Sequence, residues 1–129
     1  HGLMVPKIRD VDQMSIQRIG EELKHTSRLC RDLKIDKKEF FGGSMTISSL
    51  GGIGGTHFTP IINPPEVAIL GVGKSFDRLV KIKNKVVSRK ILPISLSYDH
   101  RLIDGAEGAK FCVYLGKCLG KDFAFKLAI

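Results

Sequence analysis

The chain has 129 residues, of which 43% are hydrophobic and 26% are charged, and this is the length and composition of a single globular domain that can bury a core. No apolar run approaches the roughly 18 residues that a membrane span needs, and the polar, proline-interrupted N-terminus does not have the pattern of a secretory signal. The net charge of +8 is compatible with polyanions, but the basic residues are dispersed and few aromatic residues accompany them, so we predict neither a nucleic-acid partner nor a membrane partner.

The first residue is His1 instead of Met, and we therefore expect a fragment or a processed piece of a longer protein. The three cysteines are odd in number and show no Cys-x-x-Cys spacing, which favours a reducing compartment over a disulfide framework. None of them lies in a turn or at a helix start, where thiolates are favoured, so we do not expect a catalytic thiol.

The first part of the chain contains one segment with helical periodicity. Residues 2–11 are interpreted as a short strand that Pro6 interrupts. Between Ser15 and about Lys34, apolar residues recur at intervals of three, four or seven, which predicts an amphipathic helix. The apolar stripe of this helix consists of Ile16, Ile19, Leu23, Cys30 and Leu33.

The middle of the chain is predicted to form strands between turns rich in glycine and proline. The run TISS at residues 46–49 suits a strand. In EVAILGVG, residues 66–73, the residues after Glu66 are apolar at successive positions, which predicts a central strand covered on both faces. A lysine-rich hairpin with its turn near Asn84 follows, and then a strand over residues 90–97.

A second helix is predicted to begin after Asp104 and Gly105. Asp104 can cap it, with Glu107 as the returning partner of a capping box. Its predicted apolar stripe is Ala109, Cys112, Val113, Gly116 and Leu119. The elements together predict an α/β fold, more closely an α+β two-layer arrangement with a mixed sheet and flanking helices.

Two glycine-containing segments have a superficial likeness to nucleotide-binding loops. Residues 68–75, AILGVGKS, end in Gly-Lys-Ser, but their loop region is strand-like and a hairpin follows where a phosphate site needs a helix N-terminus. Residues 51–55, GGIGG, lack the GxGxxG spacing and precede a histidine and prolines. We predict a strand followed by a hairpin for the first segment and a flexible or tightly turned loop for the second.

Of the four histidines, only His100 lies in a position that a turn or a surface does not readily explain. The three internal histidines, His25, His57 and His100, lack metal-ligand spacing, so we predict no metal site. His25 is expected on the polar side of the first helix, and His57 is favoured as a surface or packed residue over a pocket residue. His100 lies in YDHRLIDG, residues 98–105, at a strand end, which is where α/β folds place chemistry. The residues alone leave a catalytic role and a turn role for His100 equally open.

Residues 97–106, SYDHRLIDGA, resemble the DHRxxDG signature of the acyltransferase (E2) components of 2-oxo acid dehydrogenase complexes. The preceding run, GGSMTISSLGGIGGTHFTPIINPPEVAILGVGKS, is similar to that family in order and distance, and the resemblance covers essentially the whole chain. The residues of this run favour the branch of dihydrolipoamide acetyltransferases of pyruvate dehydrogenase complexes over the succinyl and branched-chain branches. The family's catalytic domain is roughly twice as long, so the resemblance implies that the chain is the C-terminal portion of that domain, with a fold related to chloramphenicol acetyltransferase.

The resemblance implies acetyl transfer between the thiols of dihydrolipoyl-lysine and coenzyme A. His100 matches the motif histidine, which acts as general base: an imidazole that titrates near pH 6.5 can accept the proton of a thiol whose pKa is near 8.5. Ser48 matches a serine whose hydroxyl stabilises the tetrahedral oxyanion, and Ser49 points to the other face of a strand. Asp104 matches an Asp or Asn near the histidine, with a role in hydrogen bonding and loop geometry, and Asp99 and Arg101 are expected to form a structural ion pair.

The resemblance also implies partners outside this chain. The family's active site lies between the subunits of a trimer, so His100 and Ser48 of one site are expected from different chains, and trimers assemble into larger E2 cores. The lipoyl domain and the domain that binds pyruvate dehydrogenase (E1) or dihydrolipoamide dehydrogenase (E3) are absent from these residues. We expect the bacterial cytoplasm, or the mitochondrial matrix of a eukaryote. Two alternatives stay open: a succinyl- or branched-chain acyltransferase, and a non-catalytic piece of an E2 core.

Overall fold

A computed structural model describes residues 2–120 and residue 123 of the chain. These residues belong to two compact units, one that includes residues 2–44 and one that spans Met45–Gly120. None of the helices described here combines the length and the apolar character that a membrane crossing requires.

The first unit is built on one helix, α1, which spans Ile16–Arg31. The Ser15 side chain caps it by accepting a hydrogen bond from the backbone N–H of Arg18 at 3.2 Å. The helix ends earlier than predicted because Leu33 adopts a left-handed φ of 56° and the N–H of Lys34 donates to the carbonyl of Leu29 at 2.9 Å. The predicted apolar stripe is only partly covered: Ile19 and Cys30 are half-buried, whereas Ile16, Leu23 and Leu33 are exposed.

The prediction of a short strand over residues 2–11 is wrong. The described part of this segment is irregular and then enters a short 3₁₀ helix, Val11–Gln13. It is attached to a second 3₁₀ helix, Lys37–Phe40, through a backbone hydrogen bond from Lys7 to Glu39 at 2.6 Å and through the Arg9 guanidinium. A strand needs a continuous ladder with a neighbour, and these helical turns offer isolated acceptors instead.

The second unit contains a three-stranded sheet, a separate hairpin and a helix. The strands of the sheet are β1 (Thr46–Ser49), β2 (Ala68–Val72) and β5 (Ile94–Tyr98), in the order β1-β2-β5. β2 pairs with β1 in parallel and with β5 antiparallel, which confirms the mixed sheet. Ala68, Ile69 and Leu70 are the buried apolar residues of the described chain, so the central position predicted for β2 is confirmed.

The hairpin is formed by β3 (Phe76–Ile82) and β4 (Lys85–Ile91). Lys83 and Asn84 both have positive φ values, 47° and 62°, as a two-residue turn of type I′ requires, and the predicted turn near Asn84 is confirmed. The strand predicted over residues 90–97 is confirmed as β5, but its predicted start is wrong. Lys90 and Ile91 end β4, and Pro93, which has no N–H to donate, separates β4 from β5. Residues 68–75, which superficially resemble a nucleotide-binding loop, form β2 and lead into the hairpin, as predicted.

The helix α2 spans Gly105–Cys118, and Asp104 is its N-cap. Its buried face differs from the predicted stripe. Gly108 is buried and Cys112, Leu115 and Cys118 are half-buried, whereas Val113 and Leu119 are 58% and 43% exposed. The reason is steric: a Cβ at Gly108 would lie 2.8 Å from Cε1 of Tyr98, so glycine lets the helix approach β5 on that side.

Candidate active site

His100 lies in a tight turn directly after β5. The N–H of Asp99 donates to the carbonyl of Val67 at 2.8 Å, which extends the pairing of β5 with the chain before β2 by one residue. The carbonyl of Asp99 then accepts the N–H groups of Leu102 and Ile103, each at 3.0 Å. These bonds close one turn over residues 99–103 and leave the His100 side chain exposed on it.

An ion pair between Asp99 and Arg101 fixes the same turn, as predicted. The Arg101 guanidinium donates to the two Asp99 carboxylate oxygens at 2.9 and 2.6 Å, and the Arg101 backbone N–H donates to Oδ1 at 3.0 Å. The hydrogen bonds from the Arg101 side chain, followed by the one from its backbone, lower the pKa of Asp99 from 3.8 to about 2. The flanks of His100 are therefore a carboxylate and a guanidinium that neutralise each other at neutral pH.

The imidazole of His100 faces the ring of Tyr98, the last residue of β5. The two ring centroids are 5.7 Å apart with planes inclined at 39°. Both residues line an open cleft of about 560 Å³. Its apolar wall is formed by Ile62, Pro64, Pro65, Val67 and Leu102. An imidazole at the edge of an open cleft can accept a proton from a group that binds within hydrogen-bond reach of it.

Glu66 contributes a buried carboxylate to the same cleft. It is 8% exposed and accepts a hydrogen bond from the Thr46 hydroxyl at 2.5 Å. This bond ties the extended segment before β2 to the start of β1. Sequence reasoning missed Glu66 and Tyr98. The position of Tyr98 beside the Asp-His pair was a usable signal, whereas a Glu after two prolines carries none.

Ser48 lies elsewhere in the sheet. It is paired with Gly71 of β2, which is paired with Ser95 of β5, whereas Tyr98 is paired with Ala68. Two strand spacings and three residues of strand rise separate the Cα atoms of Ser48 and Tyr98 by roughly 14 Å. Ser48 is half-buried and does not line the cleft of His100, so the described chain does not bring the two residues into one site. Ser49 is exposed and has the opposite strand parity, as expected.

Asp104 is close to His100 in sequence, but its carboxylate is engaged with the helix. Its Oδ1 accepts the N–H of Glu107 at 2.8 Å, which confirms the predicted N-cap. The second half of the predicted capping box is not formed, since no bond from the Glu107 side chain to Asp104 is found in residues 2–120. A capped helix therefore begins five residues after the histidine.

The remaining candidate residues lie apart from this turn. His25 is exposed on α1, as predicted. His57 is exposed and lines a smaller cleft of about 280 Å³ with Ser95 and Ser97. The cysteines Cys30, Cys112 and Cys118 are free thiols. Within the described part of the chain, no three His, Cys, Asp or Glu side chains converge as metal ligands.

Comparison with known proteins assigns the family. Residues 1–124 match the model of the 2-oxoacid dehydrogenases acyltransferase catalytic domain. The chain belongs to this acyltransferase family. Among curated members, it is 50% identical over 123 residues to the dihydrolipoyllysine-residue acetyltransferase component of the pyruvate dehydrogenase complex of Cupriavidus necator. It is also 50% identical over 119 residues to the corresponding component of Haemophilus influenzae.

Solved structures of the acyltransferase family share the fold. The dihydrolipoamide acetyltransferase of Azotobacter vinelandii superposes with a TM-score of 0.90 at 48% identity, over 95% of this chain and 51% of that one. The cubic core of a pyruvate dehydrogenase multienzyme complex gives a TM-score of 0.90 at 47% identity. The chain spans about a fifth of the two curated relatives, 22% and 21%, and about half of the solved catalytic structures.

Proposed function

We propose that the chain is the C-terminal portion of an acyltransferase catalytic domain that moves an acetyl group between dihydrolipoyl-lysine and coenzyme A. The observation that carries this proposal is an interval in the sequence. The structure of the Azotobacter vinelandii enzyme belongs to an investigation of the role of a serine, a histidine and an asparagine in its catalytic mechanism. That serine precedes the histidine by 52 positions and the asparagine follows it by four, and Ser48, His100 and Asp104 have the same two intervals.

In the proposed reaction, His100 is the general base. Its imidazole takes the proton from the coenzyme A thiol, and the sulfur forms a bond to the carbonyl carbon of the acetyl-dihydrolipoyl thioester. The carbon–sulfur bond to the lipoyl group then breaks, and the imidazolium gives the proton to the departing thiolate. No acyl-enzyme is formed, because the attacking thiol belongs to the second substrate.

The tetrahedral intermediate carries a negative oxygen, and the Ser48 hydroxyl is the proposed donor to it. Loss of one such donor typically lowers kcat by a factor of about 10²–10³. Because Ser48 is roughly 14 Å from Tyr98 across the sheet, we place the Ser48 of one site in a neighbouring chain. Asp104 has a structural part in this scheme: by capping α2 it fixes the chain just after His100.

The proposal includes assembly. Large apolar side chains remain exposed in the described chain, among them Leu79 at 72% and Val86 at 68% on the hairpin, and a contact with further copies would cover them. The cubic core of a pyruvate dehydrogenase complex is one such assembly among the solved relatives. In this scheme the chain joins a trimer within an E2 core, and pyruvate dehydrogenase and dihydrolipoamide dehydrogenase bind through domains outside these residues.

A chimeric domain tests the proposal. This chain replaces the half of the Azotobacter vinelandii catalytic domain that it matches, and acetyl transfer from acetyl-coenzyme A to dihydrolipoamide is measured. We expect His100→Ala to abolish turnover and Ser48→Ala to reduce it by about 10²–10³. Ser49→Ala, on the opposite face, and His57→Ala are the matched controls and should retain it.

Near-normal turnover by the His100→Ala domain would refute the general-base role. Assays with succinyl- and isobutyryl-coenzyme A test the acyl group, and a preference for either over acetyl-coenzyme A would replace the acetyl assignment. An inactive chimera that nevertheless assembles would favour a structural part for this chain in the core.

A further inference from the structure

We propose that Tyr98 is the residue that orients the His100 imidazole, and that Gly108 of α2 sets the position of Tyr98. The inference rests on the proposed role of His100 as general base. It assigns a function in the site to a tyrosine that does not itself exchange a proton with substrate.

The contact between the two rings is the main restraint on an otherwise free side chain. His100 is exposed, and its imidazole makes no hydrogen bond within residues 2–120. An exposed imidazole samples several rotamers unless a neighbour selects one. The Tyr98 ring lies at a centroid distance of 5.7 Å and an angle of 39°, inside the range of about 4.5–7 Å at which aromatic pairs attract each other. This contact favours the rotamer that holds the imidazole at the cleft.

Tyr98 is itself held from two sides. Its backbone is the last rung of β5, paired with Ala68, and the Asp99 N–H continues the pairing to Val67. Its ring lies against the first turns of α2. A Cβ at Gly108 would lie 2.8 Å from Cε1 and 3.1 Å from Cζ of the tyrosine, and a Cβ at Gly105 would lie 3.8 Å from its hydroxyl. Any side chain at Gly108 therefore displaces the ring, and the displacement passes to His100.

A simple packing role for Tyr98 makes a different prediction. A ring that only fills space between β5 and α2 affects stability when it is removed, but it leaves the imidazole and the turnover number of the folded enzyme unchanged. A positioning ring affects kcat more than KM, because substrate still binds the cleft while the base is misplaced. Phenylalanine keeps the ring without the hydroxyl, so Tyr98→Phe should retain both the stability and the kcat of the unmodified chain.

The test compares Tyr98→Phe, Tyr98→Leu and Gly108→Ala. Gly116→Ala is the matched control, since nothing lies within 4 Å of the Cβ position of Gly116 on the same helix. The χ1 rotamer of His100 is followed by its three-bond Hα–Hβ couplings in NMR spectra of the 129-residue chain, since these couplings do not depend on the ring current of Tyr98. Both kcat and KM are measured in the chimeric domain. We expect Tyr98→Leu and Gly108→Ala to average these couplings over several rotamers and to lower kcat by about 10–100-fold, with KM little changed. Tyr98→Phe and Gly116→Ala should keep the couplings, the kcat and the KM of the unmodified chain.

Unchanged His100 couplings and an unchanged kcat in Tyr98→Leu would overturn the inference, and the same result in Gly108→Ala would overturn the role of the glycine. If Gly108→Ala does not fold, the comparison of Leu with Phe at position 98 decides the role of the tyrosine. Full turnover by His100→Ala is a separate result that removes the proposed function. The His100 couplings alone then decide whether Tyr98 orients the imidazole.

Discussion

The Arg101 guanidinium donates a hydrogen bond to each carboxylate oxygen of Asp99, from Nε to Oδ1 at 2.9 Å and from Nη2 to Oδ2 at 2.6 Å. His100 is the residue between them in the chain. The ion pair is unequally exposed, with 19% of the Asp99 side chain and 88% of the Arg101 side chain accessible. Asp99 also accepts the Arg101 N–H and, through its carbonyl, two further N–H groups. The acid is thus the anchor of the turn, and the arginine stabilises its charged form.

The first prediction concerns the titration of Asp99. Arg101→Ala removes the guanidinium that is the largest cause of the lowered pKa, so this pKa should rise from about 2 toward 3.8. The pH dependence of the Asp99 Cγ resonance measures it. Lys90→Ala, which removes an exposed ion pair with Asp77 on the hairpin, is the control and should leave Asp99 unchanged.

The same pair has a consequence for acid stability. Because the folded pKa of Asp99 is below its ordinary value, the pair stabilises the fold above about pH 3.8 and loses that contribution as the pH falls toward 2. The difference in the free energy of unfolding between the unmodified chain and Arg101→Ala should therefore shrink between these pH values. A difference that stays constant or grows on acidification would contradict the assignment.

The second prediction separates the cap at Asp104 from its charge. Asp104→Ala removes the acceptor for the Glu107 N–H and should lower the free energy of unfolding by about 0.5–2 kcal/mol. Asp104→Asn keeps an acceptor oxygen and should cost less, in keeping with the asparagine that has the matching interval in the Azotobacter vinelandii enzyme. Urea unfolding of the three chains measures the difference. Equal losses for Ala and Asn would show that the charge at position 104 matters more than the hydrogen bond.

The third prediction concerns the close backbone contact between Gly73 and Thr56, the residue that follows the glycine-rich segment 51–55. A Cβ at Gly73 would lie 2.0 Å from the carbonyl oxygen of Thr56, so Gly73→Ala forces two backbone segments apart. We expect a loss of stability of about 1–3 kcal/mol or more from such overpacking. Gly116→Ala, with open space around it in α2, should instead stabilise by about 1 kcal/mol. Thermal or urea unfolding distinguishes them, and a tolerated Gly73→Ala would refute the contact.

The local structure around His100 could be predicted from the sequence because it depends on residues that are close together in the chain. The apolar run before His100 and the Asp104 cap after it specify a strand, a turn and a helix without reference to the rest of the chain. The Asp99–Arg101 pair is likewise two residues apart. Each of these features depends on neighbours in sequence, and each is found in the structure.

Features set by tertiary contact were not predictable in this way. The apolar stripe expected at Ala109, Val113 and Leu119 gave way to a face centred on Gly108, since the closest approach to Tyr98 is possible only where there is no side chain. The strand expected over residues 2–11 lacked a partner strand, which periodicity cannot supply. The buried bond between Thr46 and Glu66 joins residues 20 positions apart and leaves no local signal.

The fourth prediction follows from the distance between Ser48 and Tyr98, which lines the same cleft as His100. Since the sheet register separates Ser48 from Tyr98 by roughly 14 Å, a shared site needs the serine of one chain and the histidine of its neighbour. Chimeric domains with Ser48→Ala and with His100→Ala should each be nearly inactive, yet their coexpression should restore activity. In a closed ring of randomly mixed chains, about a quarter of the interfaces pair an intact histidine with an intact serine, so about a quarter of full turnover is expected. If both residues of a site came from one chain, no mixture would contain an intact site and the coexpressed protein would stay as inactive as its parts.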